Sequence, residues 1–523
     1  MSAETETVTE TKPQGTRLRV ALADSREGPV NRIVVYDWFT RGIDRAPPRM
    51  GNKVEVLVDG EQGWGRVAED LEAATKSIHI ATWMCRPDIE MRRPKALALS
   101  KPSERSHHRL GEILEARAKV GAKVRLLIWG MVSTPIFDHW MRRWYWRGRD
   151  NIDVLEQDHP SWIGSHHQKT ITIDGHIGYC GGMNLKQNDW CTIAHEFYDP
   201  RRYPHSAGPD KRKISEDRVE KPPFKPRHDL IMRIEGPAVA DLQCNFANRW
   251  TQSVRARRRA LLGRFWDWVR RKLGNSDYPE LYSPKALPPA RGGHMCQIVR
   301  TMPGGEDGIL WAYIRAIRNA RRYIYIENQY FRSPIIGQEL RDALKRNPRL
   351  RLAAVVWPVN DGKESFLDPS GYWTAETLRL IREGRPEFRL TKVLAWGRNA
   401  QDQVVYQQID VHAKVMVVDD IWLTVGSANI NDRGFKTEGE INAVVLDKGL
   451  GRDLRKRLMA EHLEVEVDDE RLDDIDTAFD LWEKHGDENP KRFEQSQQPL
   501  SRVHHFIQEG LSRPPFGVGS GVF

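Results

Sequence analysis

The sequence predicts an α/β protein built from two halves related by a pseudo-twofold axis, each a mixed sheet flanked by helices, with its site at the interface between the halves. Three observations carry this reading. Short apolar runs of strand length alternate with amphipathic helical stretches, the pattern of sheets covered by helices. At 523 residues the chain is too long for one ordinary core. It also repeats itself at long range, which decides the organisation before any single element is assigned.

The elements follow in order. "VAEDLEAATKSIHIATWM" from residue 67 reads as an amphipathic helix entering a buried strand, and "AYIRAIRNARRYIYIENQYF" from residue 312 repeats it. "AKVRLLIWG" at 122–130 and "RLRLAAVVWP" at 349–358 are each a basic helix end followed by an apolar strand. "HHQKTITIDGHIGYCGGMN" at 166–184 then pairs with "VHAKVMVVDDIWLTVGSANINDRG" at 411–434. Ile324 follows Ile78 by 246 positions and His412 follows His167 by 245, so the copies are in near register. The expected organisation is an N-terminal arm and first strand at 1–50, a first half at 51–250, a basic Trp-containing linker at 251–290, a second half at 291–465 and an acidic extension and tail at 466–523. The two ends are expected to lie outside the catalytic core.

Composition narrows the function. Apolar stretches such as "LAAVV" at 352–356 fall far short of the ~20 residues that span a bilayer, so no transmembrane helix is expected. The N-terminus "MSAETETVTETKPQG" has no basic and apolar leader, which points to cytoplasmic synthesis and, for any export, a signal-less route. Five cysteines without a CxxC pair suggest reduced, packed thiols rather than zinc ligands. A net charge of +9 favours polyanions, whether nucleic acid or an anionic membrane.

The chemistry resides in the third repeat. On a strand, residues i and i+2 share a face, so His167 projects with Lys169 and His412 with Lys414, while His166 points away. Asp174 and Asp419 fall at hairpin turns, placed to bond local backbone as structural support. The returning strands end in Gly181-Gly182-x-Asn184 and Gly426-Ser427-x-Asn429, where small residues admit a ligand and Asn offers a hydrogen bond; Gly182, Asn184, Ser427 and Asn429 are therefore candidate substrate-binding positions. A solvated strand face needs no matched spacing in two copies. Two imidazoles and two ammonium groups at one interface suit a phosphodiester: one His attacks phosphorus, the other protonates the departing alcohol, and the lysines hold the equatorial oxygens. The roles then swap, water or another alcohol breaks the phosphohistidine, and configuration is retained. The lysines take the place of the metal that other phosphoryl-transfer sites use, no dense carboxylate cluster being visible in the sequence, so no metal or cofactor is expected.

The duplicated HxKxxxxD pattern resembles the phospholipase D superfamily. "RHDLIMRIEGPAVADLQCNFANRW" at 227–250, "YIYIENQYF" at 323–331, "GSANINDRG" and "EGEINAVV" extend the likeness to the eukaryotic and related bacterial type over residues 50 to 465. The resemblance implies that His167 is the nucleophile, His412 the general acid and then base, and Glu440 the group orienting His167, with Lys169, Lys414, Asn184 and Asn429 on phosphate. For His412 the orienting group stays open between Asp189 and Glu196, because Asn184 stands where many relatives have Asp. The implied activity is hydrolysis of glycerophospholipids to phosphatidic acid and a head-group alcohol, with transphosphatidylation to an alcohol acceptor. The alternatives are a phosphatidyltransferase of the cardiolipin synthase type and a nucleic-acid phosphodiesterase, the second disfavoured by the lipid-enzyme segments. A monomer peripheral to a membrane is expected, and delivery by type VI secretion suits a signal-less phospholipase. Two basic, aromatic stretches, "RARRRALLGRFWDWVRRKLG" and "WMRRWYWRGR" at 140–149, read as interfacial segments, and the proline-rich run 197–228 as a lid or binding loop.

Overall fold

The computed structural model describes residues 7–11, 17–22, 32–35, 38–40, 46–130, 145–146, 149–161, 164–213, 224–272, 277–359 and 370–509. The stretch 140–149 therefore lies mostly outside the described residues, as does the glycine-rich tail.

The first half comprises β1 (Arg49–Val58), α1 (Asp59–Glu72), β2 (Ser77–Thr82), α2 (Leu110–Lys119), β3 (Lys123–Trp129), β4 (Ile152–Gln157), β5 (Thr170–Ile173), β6 (Ile177–Gly181), β7 (Leu230–Glu235) and α3 (Val239–Arg259). After α4 (Leu261–Lys272) the second half runs through β8 (His294–Met302), α5 (Gly308–Asn319), β9 (Tyr323–Asn328), α6 (Pro334–Arg346), β10 (Arg351–Val356), α7 (Ser370–Arg382), β11 (Leu390–Arg398), β12 (Lys414–Val418), β13 (Trp422–Gly426), β14 (Glu440–Leu446) and α8 (Lys448–Leu463). Helix α9 (Ile475–Glu494) and β15 (Val503–Phe506) complete it.

Strand order is the same in both halves. The first reads β1-β7-β6-β5-β2-β3-β4 and the second β8-β14-β13-β12-β9-β10-β11, with β2-β3-β4 and β9-β10-β11 parallel and the remaining neighbours antiparallel. Helices α2, α6 and α7 connect β2 to β3, β9 to β10 and β10 to β11, whereas β5 and β12, which follow the two histidines, turn straight back as hairpins. β1 also pairs with β8, at His294↔Asn52 and Cys296↔Arg49, so the two ladders join into one large mixed sheet.

Burial on both faces explains the unbroken apolar runs. Val54, Val56, Val58, Leu230, Met232 and Ile234 share one core with Val415, Val417, Leu423, Val425, Ile441 and Ala443 of the other half. The opposite faces pack under helices: Val67 and Leu71 of α1 over Ile78 and Ile80, and Ile314 and Ile317 of α5 over Ile324 and Met416. Alternation within β12 divides its residues, Val415 and Val417 facing between the halves and Met416 and Val418 facing outward.

Two boundaries differ from the sequence reading. Helix α3 runs through to Arg259, so the expected join at 250–251 falls inside a helix whose Phe246, Trp250 and Val254 pack against Leu127 and Leu155. The acidic extension is not outside the core either: β15 pairs antiparallel with β11, and Phe479 and Trp482 of α9 are wholly buried in the shared core. Apolar residues at helical spacing, Ile475, Phe479 and Trp482, outweigh the charge on the opposite face. The run 197–228 is likewise packed where it is described. Arg202 donates to the carbonyls of Glu196, Phe197 and Phe224 and so joins the two ends of the run, while Arg212 donates to that of Ala98 and ties the run to the preceding part of the first half. Residues 214–223 lie outside the described set.

Candidate active site

His167 and His412 stand immediately before β5 and β12, on opposite halves, with ring centroids 6.4 Å apart. A backbone bond fixes each. His167 N–H donates to the Gly439 carbonyl and His412 N–H to the His228 carbonyl, both at 2.8 Å. In each case the next residue supplies the carboxylate that meets the ring: His167 Nδ1 donates to Glu440 Oε1 at 2.9 Å, and His412 Nδ1 to Asp229 Oδ2 at 2.6 Å. Each half thus orients the other half's imidazole, and with Nδ1 carrying the proton each Nε2 is left with its lone pair.

The lysines repeat the symmetry. Lys169 Nζ donates to the His167 carbonyl and Lys414 Nζ to the His412 carbonyl, each at 2.5 Å, leaving further N–H groups on each ammonium. Lys414 also meets Gln329 Oε1 at 3.2 Å. Burial moves every group here toward its neutral form. It pulls Lys169 down to about 7 and Lys414 to about 8, and it pushes the Asp229 carboxyl up to about 7 and Glu440 up to about 8. Both imidazoles lie well below their ordinary value, through burial first and then the neighbouring cations, Lys169 beside His167 and Arg227 beside His412. Such a site is short of negative charge, and an anionic phosphate supplies it.

The remaining sequence-predicted residues fall into place with several corrections. Asp174 and Asp419 support the hairpins, but their partners are not local. Asp174 accepts from the N–H groups of Thr75, Lys76 and Ser77, and Asp419 from those of Arg321, Arg322 and Tyr323, so each ties its hairpin to the start of the adjacent parallel strand, β2 or β9. Both residues sit at positive φ, 49° and 55°, in the tight turn at the strand end away from the histidine. Asp189 and Glu196 do not orient His412; Asp229 does. Asp189 accepts instead from the backbone and side-chain N–H of Asn184 at 2.7 and 2.9 Å and pairs with Arg227 at 2.9 Å. Gly182 is required by that carboxylate, since a Cβ there would lie 2.2 Å from Asp229 Oδ1. Its counterpart Ser427 donates from Oγ to Glu440 and accepts from Ile441 N–H, so this pair shapes and holds the orienting carboxylates. Asn184 and Asn429 are buried near the histidine-bearing hairpins, each with its amide oxygen unpaired.

Sequence reasoning passed over three functional contributors although their segments were in view. Asp229 follows His228 in "RHDL". "ENQYF" resolves into Glu327 bonded to His228 and His462, Asn328 Oδ1 accepting from Ile430 and Tyr330 N–H, and Gln329 meeting Lys414. Trp83, stacked on Trp129, stands edge-on to His167 at 5.9 Å. A mixed group of two carboxylates and two imidazoles lies outside the reach of the sequence reading. Asp59, His195, His228 and Glu461, from four separated segments, converge in the interior.

With that geometry in place, the comparisons are unambiguous about family. Residues 70–267 match the family described as "Phospholipase D" and residues 313–462 the one described as "Cardiolipin synthase, PLD-like domain". The chain belongs to the phospholipase D superfamily. It is 27% identical over 468 residues to Phospholipase D A of Dictyostelium discoideum, covering 78% of this chain and 34% of that protein. It is 26% identical over 428 residues to the cardiolipin synthase of Oceanobacillus iheyensis, covering 80% and 70%. The chain thus spans about a third of the length of the phospholipase D relatives it matches first. Among solved structures, a phosphatidylserine synthase of Haemophilus influenzae aligns over 85% of this chain and 93% of its own, at 14% identity and a TM-score of 0.48.

Proposed function

We propose that the protein is a phospholipase D, cleaving the distal phosphodiester of a glycerophospholipid through a phosphohistidine. The observation that carries this is the pair of His–carboxylate dyads donated crosswise between halves, 6.4 Å apart ring to ring, with two buried lysines beside them. In this reading His167 Nε2 attacks phosphorus as the bond to the head-group oxygen breaks, and that oxygen takes the proton held on His412 Nε2. His412, now neutral, accepts a proton from water as the water oxygen attacks phosphorus and the P–N bond breaks. Water yields phosphatidic acid; an alcohol yields an exchanged phospholipid. His167 has 13% of its side chain exposed against 6% for His412, which suits it to meet an incoming phosphate. The substrate anion also offsets the four flanking cationic groups, raising the proton affinity of His412 when protonation of the leaving group needs it.

A peripheral membrane location accords with α4. Arg264, Phe265, Trp268 and Lys272 are all exposed at i, i+1, i+4 and i+8, with Phe265 stacked on Trp268 at 6.2 Å, a basic and aromatic face suited to a phospholipid head-group layer. Among the described residues no helix is long and apolar enough to cross a bilayer. A phosphatidyltransferase of the cardiolipin synthase type is favoured by one observation, the family match over residues 313–462 and the relative it accompanies. Purified protein incubated with phosphatidylcholine, phosphatidylethanolamine, cardiolipin or plasmid DNA, with and without ethanol, separates the readings. Phosphatidic acid and phosphatidylethanol support a phospholipase D, cardiolipin formed in a parallel incubation with phosphatidylglycerol supports the transferase, and nicked DNA with inert lipids, phosphatidylglycerol included, overturns both.

A further inference from the structure

Behind the His412 dyad the two halves meet over a set of groups that the phosphodiester chemistry does not use. Asp59, at the start of α1, His195 and His228 come from the first half, and Glu461 from α8 of the second. Their donor atoms all lie within 4.8 Å of one another. His195 Nε2 is 2.7 Å from Glu461 Oε1 and 3.2 Å from Asp59 Oδ2, while His228 Nδ1 is 2.9 Å from Glu461 Oε1 and 3.1 Å from Asp59 Oδ1. None of these side chains is more than 4% exposed. Two of the atoms that point into the group, Asp59 Oδ2 and His228 Nδ1, make no hydrogen bond of acceptable geometry despite being wholly buried. His228 Nδ1 and Asp59 Oδ2 are held only by ion pairs of 2.9–3.2 Å, without the well-aligned hydrogen bonds that buried polar atoms ordinarily make.

We propose that Asp59, His195, His228 and Glu461 bind a divalent transition-metal ion of the zinc type, which clamps the two halves together. Two imidazole nitrogens and two carboxylate oxygens are a donor set such ions accept in tetrahedral geometry. Bonds of about 2.0–2.1 Å place tetrahedral donors about 3.3–3.4 Å apart, so the four imidazole–carboxylate separations of 2.7–3.2 Å would have to open to that distance, and all four donors already lie within 4.8 Å of one another. The surroundings also fit. His228 presents its other nitrogen to Glu327 Oε2 at 2.6 Å, the carboxylate–imidazole arrangement that fixes the tautomer of a metal-bound histidine. Glu327 is in turn held by Tyr325 Oη at 2.5 Å and His462 Nε2 at 2.9 Å, and His195 Nδ1 has Cys191 Sγ at 3.5 Å.

Charge gives the site its logic. Two carboxylates meet two imidazoles here in a buried setting. A divalent ion would balance the two carboxylates while the imidazoles bind it as neutral ligands. The site also reaches the dyad. Asp229 N–H donates to Asp59 Oδ1 at 3.0 Å, Asp59 N–H donates to the Asp229 carbonyl at 2.8 Å, and the His228 carbonyl holds His412. Asp59, His195, His228 and Glu461 are positioning residues by this account, and the proposal does not depend on the substrate.

The test is the metal content of the full chain, expressed in zinc-supplemented medium, purified without chelator and measured by plasma mass spectrometry. About one equivalent of zinc or another first-row divalent metal per chain is expected. Stripping with dipicolinate should lower Tm by several degrees and added Zn2+ should restore it. Glu461→Gln and His195→Asn should lose the metal, while His462→Gln, whose ring packs against His228 and bonds Glu327 but supplies none of the four donor atoms, should retain it. Wild-type protein that carries no stoichiometric metal and whose Tm is unmoved by added Zn2+, Mn2+, Co2+ or Ni2+ would overturn the proposal, whatever the variants do, and would leave the cluster balanced by protons alone.

Discussion

The two halves place the same His–Lys pair at the same point of the same sheet order, yet they hold their imidazoles in different company. Around His167 the direct support is compact: Glu440 is held by the Ser427 hydroxyl, and the Ser427 carbonyl lies 3.2 Å from the ring nitrogen, with Lys169 and Glu438 the nearest charges on the ring. Around His412 the support is ionic and extends deep. Asp229 neighbours Arg227, which pairs with Asp189 and Asp410, and its backbone is bonded both ways to Asp59 of the buried cluster. A duplicated chain needs two groups of one kind to reach phosphorus, but attack and proton transfer ask different things of them. The nucleophile needs access and a neutral ring, whereas the acid needs a proton kept close to a fixed charge.

The largest expected effect removes either ring. His167→Ala and His412→Ala should each lower kcat by at least about 10³-fold with circular dichroism unchanged. An alternative leaving group then separates the two. On a lipid analogue releasing p-nitrophenol, which departs with little protonation, His412→Ala should recover much of its rate and His167→Ala none; equal recovery would remove the assigned asymmetry. Next are the orienting carboxylates. Asp229→Asn and Glu440→Gln should each cost about 10²–10⁴-fold in kcat on phosphatidylcholine, and only the Asp229→Asn loss should shrink with the activated substrate.

The pH dependence follows from the shifts in the substrate-free site. Because both imidazoles are depressed well below 6.5, a neutral His167 persists into acid, and the rising limb of kcat/KM should lie below pH 6. Lys169 and Lys414, at about 7 and about 8, lose charge as pH rises through those values, so phosphate binding weakens and kcat/KM should fall above about pH 8. A maximum above pH 9 would contradict the burial of the lysines. Their depressed values also mean that folding costs stability as pH falls below the unfolded lysine pKa. Lys169→Met should therefore raise stability at neutral pH by about 1–3 kcal/mol in urea denaturation while abolishing activity.

The smallest effects concern the hairpin aspartates. Each accepts three backbone N–H groups, but Asp419 is 7% exposed while Asp174 is only half-buried. For Asp419 burial dominates and raises the carboxyl pKa; for Asp174 burial is outweighed by the N–H groups of Ser77, Thr75 and Lys76, and the value is lowered. Asp419→Ala should cost about 2–3 kcal/mol and Asp174→Ala about 1–2, because water can reach the orphaned donors in the second case, with kcat altered in neither by more than a few-fold.

Much of the site was legible in linear order. A period of two puts His167 with Lys169 and His412 with Lys414, turn residues mark Asp174 and Asp419, and the long repeat demands that the copies face each other. What was not legible has a common cause. Asp229 lies 183 positions from His412, a separation at which spacing along the chain carries no information about contact; Glu440, 273 positions from His167, was reached only through the family resemblance. For His412 the candidates chosen close to the first histidine, Asp189 and Glu196, failed because an orienting group is supplied across the twofold, by the strand that opens beside the partner ring.

The amino-acid sequence by itself determined the duplication, the alternation of strand and helix, and the four side chains able to hold and attack a phosphodiester, because these depend on local periodicity and residue chemistry. Only the tertiary structure decided that Asp229 is the carboxylate His412 meets, that the acidic extension joins the core, and that Asp59, His195, His228 and Glu461 form one buried group. Those outcomes depend on the docking of two sheets, where a few ångströms in a water-poor interior fix which charges pair.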